Sequence, residues 1–214
     1  MLLAIQSHPE LYALAERAYH RCVEWFGEPL DPQIPYELLW GDRGSCTFDE
    51  SVPEYRIYLP SAHTHIEQHC AIIGHEMYHR VTGQFQTMRR VLWIDEALAC
   101  LTEYHNLEQE GFKDYAKMLG NLAKAAPDAL MPKDIIYLVR KSREKLETEP
   151  PYPPGFGNGI ERLALRIERV VGWEQMRLLA KVETMEDWLT NTTNSRDVKK
   201  AVLRILNLDE GATS

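Results

Sequence analysis

Apolar positions recur along this chain with two different periods. Leu11, Leu14, Ala15, Ala18, Cys22 and Phe26 follow one another at helical spacing, after a Ser7-His8-Pro9-Glu10 segment that reads as a capping box, until Gly27 and Pro29 end the run. One amphipathic helix is predicted there. From Tyr36 to Leu59 the pattern shortens to β-type runs, Tyr36–Trp40 and Tyr55–Leu59, separated by turn residues in Gly41-Asp42-Arg43-Gly44 and Asp49-Glu50-Ser51. A small, mostly antiparallel sheet follows from that reading.

Helical spacing then dominates. Thr64 and Glu67 form a second capping box, opening a helix that carries Ile66, Cys70, Ile73 and Met77 and stops at Gly83. Further helices are predicted near Ile94–Leu107, Phe112–Ala125, Lys133–Leu146, Asn158–Val171, Trp173–Val182 and Ser195–Leu206. Glu149–Gly159, rich in Pro and Gly, reads as a loop or lobe boundary. The predicted fold class is therefore α+β, mainly helical with one small sheet. Residues 1–149 are expected to form the core and residues 150–214 a helical C-terminal subdomain, or the two are continuous.

Composition narrows the function. With 44% hydrophobic and 26% charged residues the chain has an ordinary globular balance, and a net charge of −8 argues against nucleic acid or anionic lipid as partners. No apolar run reaches the roughly 18 residues that span a bilayer, so a soluble, cytoplasmic protein is expected. Cys22, Cys46, Cys70 and Cys100 stand singly, without the paired spacing of a zinc ribbon or disulfide framework. Five of the eight histidines, by contrast, fall between His63 and His79.

Within that cluster His75-Glu76-Met77-Tyr78-His79 is an H-E-x-x-H motif inside a predicted helix. Residues four apart lie one turn apart on one face, so both imidazoles can reach one metal ion while Glu76 projects beside it. The preceding Cys70–Gly74 run is uncharged, as a buried helix requires. On the next helix Glu96 can supply the third ligand, completing two His and one Glu and leaving a position open for water, the arrangement of catalytic zinc.

H-E-x-x-H followed by the helix Trp93-Ile94-Asp95-Glu96-Ala97-Leu98-Ala99 resembles the gluzincin clan of zinc metallopeptidases, especially its small, minigluzincin-like members. The resemblance spans roughly Tyr55–Glu103 and implies a zincin-like (thermolysin-like) core. It implies Zn²⁺ held by His75, His79 and Glu96, Glu76 as general base, and Tyr55–Leu59 as the edge strand that pairs with an extended peptide or protein substrate. The family's oxyanion-stabilising Tyr or His would fall near Phe156, which has no donor. Tyr152 is the nearest substitute, or else a packing residue among prolines. Where relatives carry a supporting carboxylate one turn after the third ligand this chain has Cys100, and Glu103 or Asp95 can take that place.

The remaining candidates have simpler readings. His65 and His69 are also four apart but lack a third ligand, so they and His63 read as surface around a helix start. Arg140, Lys141, Arg143 and Lys145, interleaved with Glu144 and Glu147, read as a solvated helix face. Cys100 is either a packed thiol or a redox-sensitive one. Three functional classes stand: a metallopeptidase, a catalytically inactive zincin-fold module that binds peptides, and a helical interaction domain in which the motif is accidental.

Overall fold

In the computed structural model the described residues are Ile5, His8–Asp49, Ser51–Gly83, Leu92–Ala125, Phe156–Lys181 and Arg196–Leu206. They are mainly helical with one small sheet, an α+β arrangement. The elements are α1 (Pro9–Phe26), β1 (Tyr36–Gly41), β2 (Ser45–Asp49), β3 (Glu54–Pro60), α2 (Ile66–Thr82), α3 (Leu92–Gln109), α4 (Lys113–Ala125), α5 (Phe156–Val171), α6 (Trp173–Met176, continued by a 3-10 turn over Arg177–Lys181) and α7 (Arg196–Leu206). The predicted helix at Lys133–Leu146, the basic segment within it and the expected boundary at Glu149–Pro150 lie outside the described residues.

Grouped by contact, the chain forms two compact units, Met1–Met88 with Ala99–Lys117 and Arg89–Leu98 with Met118–Ser214. Two continuous helices, α3 and α4, run through both. In the second unit α5 packs on α6 and α7, burying Ile160, Leu163, Ala164, Ile167, Met176 and Val202. Phe156–Gly159 are helical, which corrects the loop expected through Gly159. The glycines there lie in the first turn of α5, where the N–H groups are unpaired within the helix in any case.

The first unit is built around α2. From His69 to Thr82 it is buried on nearly every side except at Ile72 and His75, as a helix enclosed by a sheet and other helices must be. Its start falls one residue later than the Thr64 box predicts. His65 is the cap residue, and the Gln68 side-chain oxygen accepts from the N–H groups of both Thr64 and His65 at 3.2 Å. Its end is as predicted: Gly83 adopts φ +65°, and its N–H donates to the His79 carbonyl. α1 likewise begins after His8 rather than Ser7, with Pro9 in the first turn, where a missing N–H costs nothing.

The sheet departs from expectation in two ways. Its order is β1-β3-β2, with β1 parallel to β3 and β2 antiparallel to it, so it is mixed. Tyr55–Leu59 is consequently the central strand and not an edge. Tyr55, Ile57 and Leu59 are almost fully buried, and Ile57 sits between Leu38 of β1 and Cys46 of β2. The unpredicted strand β2 is an edge. Its sequence, Ser-Cys-Thr-Phe-Asp, carries too few apolar residues to stand out between two turns.

Two polar anchors join these layers. Arg80 is buried at 1% exposure, stacks 4.2 Å over the Tyr55 ring and donates to the carbonyls of Asp31 and Ile34, tying α2 to β3 and to the connection before β1. On the other side Glu110, just beyond α3, takes both Arg17 and Arg21 of α1. The side-chain bond from Arg17 is the largest of the effects holding the Glu110 carboxyl below its ordinary pKa. No helix among the described residues is long and apolar enough to cross a membrane.

A pKa lowered by folding means that the stabilisation is complete above the unfolded value and is lost as pH falls through the folded one. Glu110→Gln should therefore lower unfolding free energy by about 1–2 kcal/mol at pH 7. In urea titrations across pH, the gap to the parent protein should narrow below the carboxyl's ordinary 4.5. A gap independent of pH down to the acid transition would contradict this.

Candidate metal centre

His75 and His79 sit one turn apart on α2, half-buried and buried respectively, with ring centroids 5.0 Å apart. Their Nε2 atoms approach to 3.3 Å. Glu96, near the start of α3, brings a carboxylate oxygen to the same point, and the three donor atoms all lie within 4.8 Å of one another. Bonds of roughly 2.0–2.1 Å around tetrahedral zinc place neighbouring ligand atoms about 3.3–3.5 Å apart, so the two nitrogens already have ligation spacing. Two imidazole nitrogens this close share either a proton or a metal, and the added carboxylate supplies the negative charge a divalent cation requires.

The second nitrogen of His75 has a carboxylate in front of it. Glu103 Oε2 lies 3.8 Å from His75 Nδ1, which places the negative charge behind a ring whose Nε2 faces His79 Nε2. Of the two carboxylates considered for a supporting place, Glu103 stands in front of His75 Nδ1, and Asp95 is buried on α3 at 3% exposure. Cys100 is half-buried, and none of the four cysteines forms a disulfide.

Glu76 is 7% exposed and lies close to the entry of β2. A Cβ on Gly44 would sit 2.8 Å from Ile72 Cγ2 and 3.5 Å from Glu76 Oε1, so the strand passes α2 at a distance only glycine permits comfortably. One residue into β2, the Cys46 thiol has its pKa raised, first by burial and then by the Glu76 carboxylate. The edge strand thus begins directly beside the motif glutamate.

What sets the α2 to α3 distance is a contact the sequence did not reveal. A Cβ on Gly74, immediately before His75, would meet Asn106 Cβ at 2.9 Å. Asn106 is 1% exposed, donates from Nδ2 to the Cys70 carbonyl at 3.0 Å, and accepts at Oδ1 from Arg21 Nε at 3.1 Å. Gly74 in an otherwise bulky run was the available signal; Asn106, among polar neighbours, offered none. Arg80 was missed because a basic residue after the motif reads as exposed.

The first three clustered histidines also need revision. His65 is exposed, but His69 is buried and His63 half-buried, with rings 5.9 Å apart, and Trp40 packs edge-on to His69 at 5.5 Å. Burial, then the neighbouring His63, pushes the His69 pKa down. The reading of His69 as surface fails because β1 brings Trp40 onto it. Tyr152 lies outside the described residues. Phe156 is the first residue of α5.

Gly74→Ala tests the helix crossing through its sign. At an uncrowded helical site this change stabilises by up to about 1 kcal/mol, whereas overpacking costs about 1–3 kcal/mol. Chemical denaturation should show destabilisation, and a stabilised variant would mean that the helices do not meet here. Set against known proteins, the chain matches no family model, no curated protein and no solved structure.

Proposed function

We propose that the protein is a zinc-dependent metallopeptidase of gluzincin type, with a zincin-like core, in which His75, His79 and Glu96 hold the ion and Glu76 is the general base. The observation that carries this reading is the convergence of Glu96 on two motif histidines whose Nε2 atoms are already 3.3 Å apart. Zinc, when bound, acidifies water toward neutral pH and polarises a carbonyl oxygen.

The chain's own groups do the rest. Glu76 takes the proton of the attacking water and returns it to the departing amine, and its burial beside Gly44 limits access of bulk water to that proton. Glu103, 3.8 Å from His75 Nδ1, sets a negative charge behind that ring and so strengthens it as a metal ligand. An extended peptide lies along β2, the edge strand whose entry lies beside Glu76, and pairs through backbone groups with little side-chain selection. Tyr152, the nearest residue with a donor to the Phe156 position where the resemblance would put an oxyanion-stabilising side chain, takes that role in this reading. The net charge of −8 favours neutral or basic peptides, and the lack of disulfides accords with a cytoplasmic setting.

The test is metal analysis of purified protein coupled to a peptide-library digest with and without chelator. Near-stoichiometric zinc and cleavage abolished by chelator are expected; cleavage equal in both conditions would reject the mechanism. Glu76→Gln should keep the zinc and lose about 10²–10⁴ in turnover, whereas His75→Ala should lose both. Unchanged turnover in both variants would end the enzyme reading, and zinc retention without any parental turnover would mark a peptide-binding module. Glu103→Gln should weaken zinc affinity about 10–100-fold in competition with a chromophoric chelator, and parental affinity would remove the supporting role.

A further inference from the structure

The second unit holds a cavity of about 230 Å³ lined by Lys124 of α4 and by Arg162, Leu165, Arg166 and Arg169 of α5. Among the described residues that line it, four of five are cations and none is acidic, in a chain whose net charge is −8. The α5 residues fall at i, i+3, i+4 and i+7 and so share one face, opposite the face that buries Leu163, Ala164 and Ile167. Like charges at i and i+4 weaken a helix by a few tenths of a kcal/mol, so this stripe opposes the stability of α5 instead of adding to it.

Part of the cluster has a structural use. Arg162 donates to the carbonyls of Ala123 and Lys124 at 3.3 and 3.0 Å, closing the C-terminal end of α4. That bond holds one guanidinium at the cavity wall. Arg166 and Arg169 are exposed, and among the described residues neither has a carboxylate partner. Helix-end electrostatics accounts for Lys124 and Arg169 in the last turns of their helices, but not for Arg166 in the interior of α5.

We propose that this cavity binds a compact phosphate-type oxyanion carrying two or more negative charges. Guanidinium groups meet phosphoryl oxygens through paired N–H donors, and several converging cations favour a multiply charged anion over chloride. The volume is below the roughly 300–1,000 Å³ of pockets that enclose whole drug-sized ligands, so a phosphoryl or diphosphoryl group is accommodated and a complete nucleotide is not. The site is independent of the metal centre and of the peptidase reading.

Isothermal titration of the intact protein with inorganic pyrophosphate, at fixed ionic strength near 0.15 M, tests it. One saturable site is expected, weakened at least about tenfold in R166Q/R169Q, whose exposed positions and relieved like-charge repulsion should not lower the thermal midpoint. A parallel titration with ADP separates the sources: equal affinity assigns the site to the phosphoryl groups alone, and tighter binding assigns it to a larger molecule's phosphates. Absence of saturable pyrophosphate binding up to 10-fold above about 1 mM, or equal affinity in parent and double variant, overturns the proposal.

Discussion

The closeness of α2 and α3 is the constraint on which the rest of the first unit depends. Gly74 leaves no side chain at the crossing, and Asn106 fills that space with an amide bonded to the Cys70 carbonyl on one side and to Arg21 of α1 on the other. A buried amide with both ends satisfied holds a geometry that apolar packing alone would leave looser, because any shift strands a polar group away from water. Glu103, three residues before Asn106, then faces His75, the residue after Gly74. The site's geometry is a consequence of a helix crossing one residue away from it.

Polar groups recur at each joint of this unit. Arg80 ties the far end of α2 to β3 and to the segment before β1, and Glu110 ties α3 to two arginines of α1. Each charge is matched by carbonyls, an aromatic face or opposite charge, which is what makes burial tolerable. The motif helix is therefore held on several sides by directional contacts, which keep the His75 and His79 donor atoms in fixed relative positions. The glycine at position 44 extends the same close packing to the edge strand.

Much of the fold was legible because its signals are local. The α1 stripe, the Gly83 stop and the helices beginning near Ile94, Phe112 and Asn158 depend on spacing and caps that neighbouring residues supply. β2 was not legible, since an edge strand facing solvent needs few apolar residues, and strand order was not, since nothing in Tyr36–Trp40 distinguishes a parallel partner from an antiparallel one. His69 was misjudged for a related reason: its burial comes from Trp40 on a distant strand.

The helical placement of His75 and His79 and the short-range chemistry of the motif were already written in the order of residues, because residues four apart on a helix must share a face. It also named Glu96 as the carboxylate to look for. The fold had to supply the approach of Glu96 to those histidines, the place of Glu103 in front of His75, and the position of β2, not β3, as the edge beside Glu76. Those three outcomes depend on how separate elements cross and pair, and crossing distances are set by contacts such as Gly74 against Asn106 that link residues far apart in the chain.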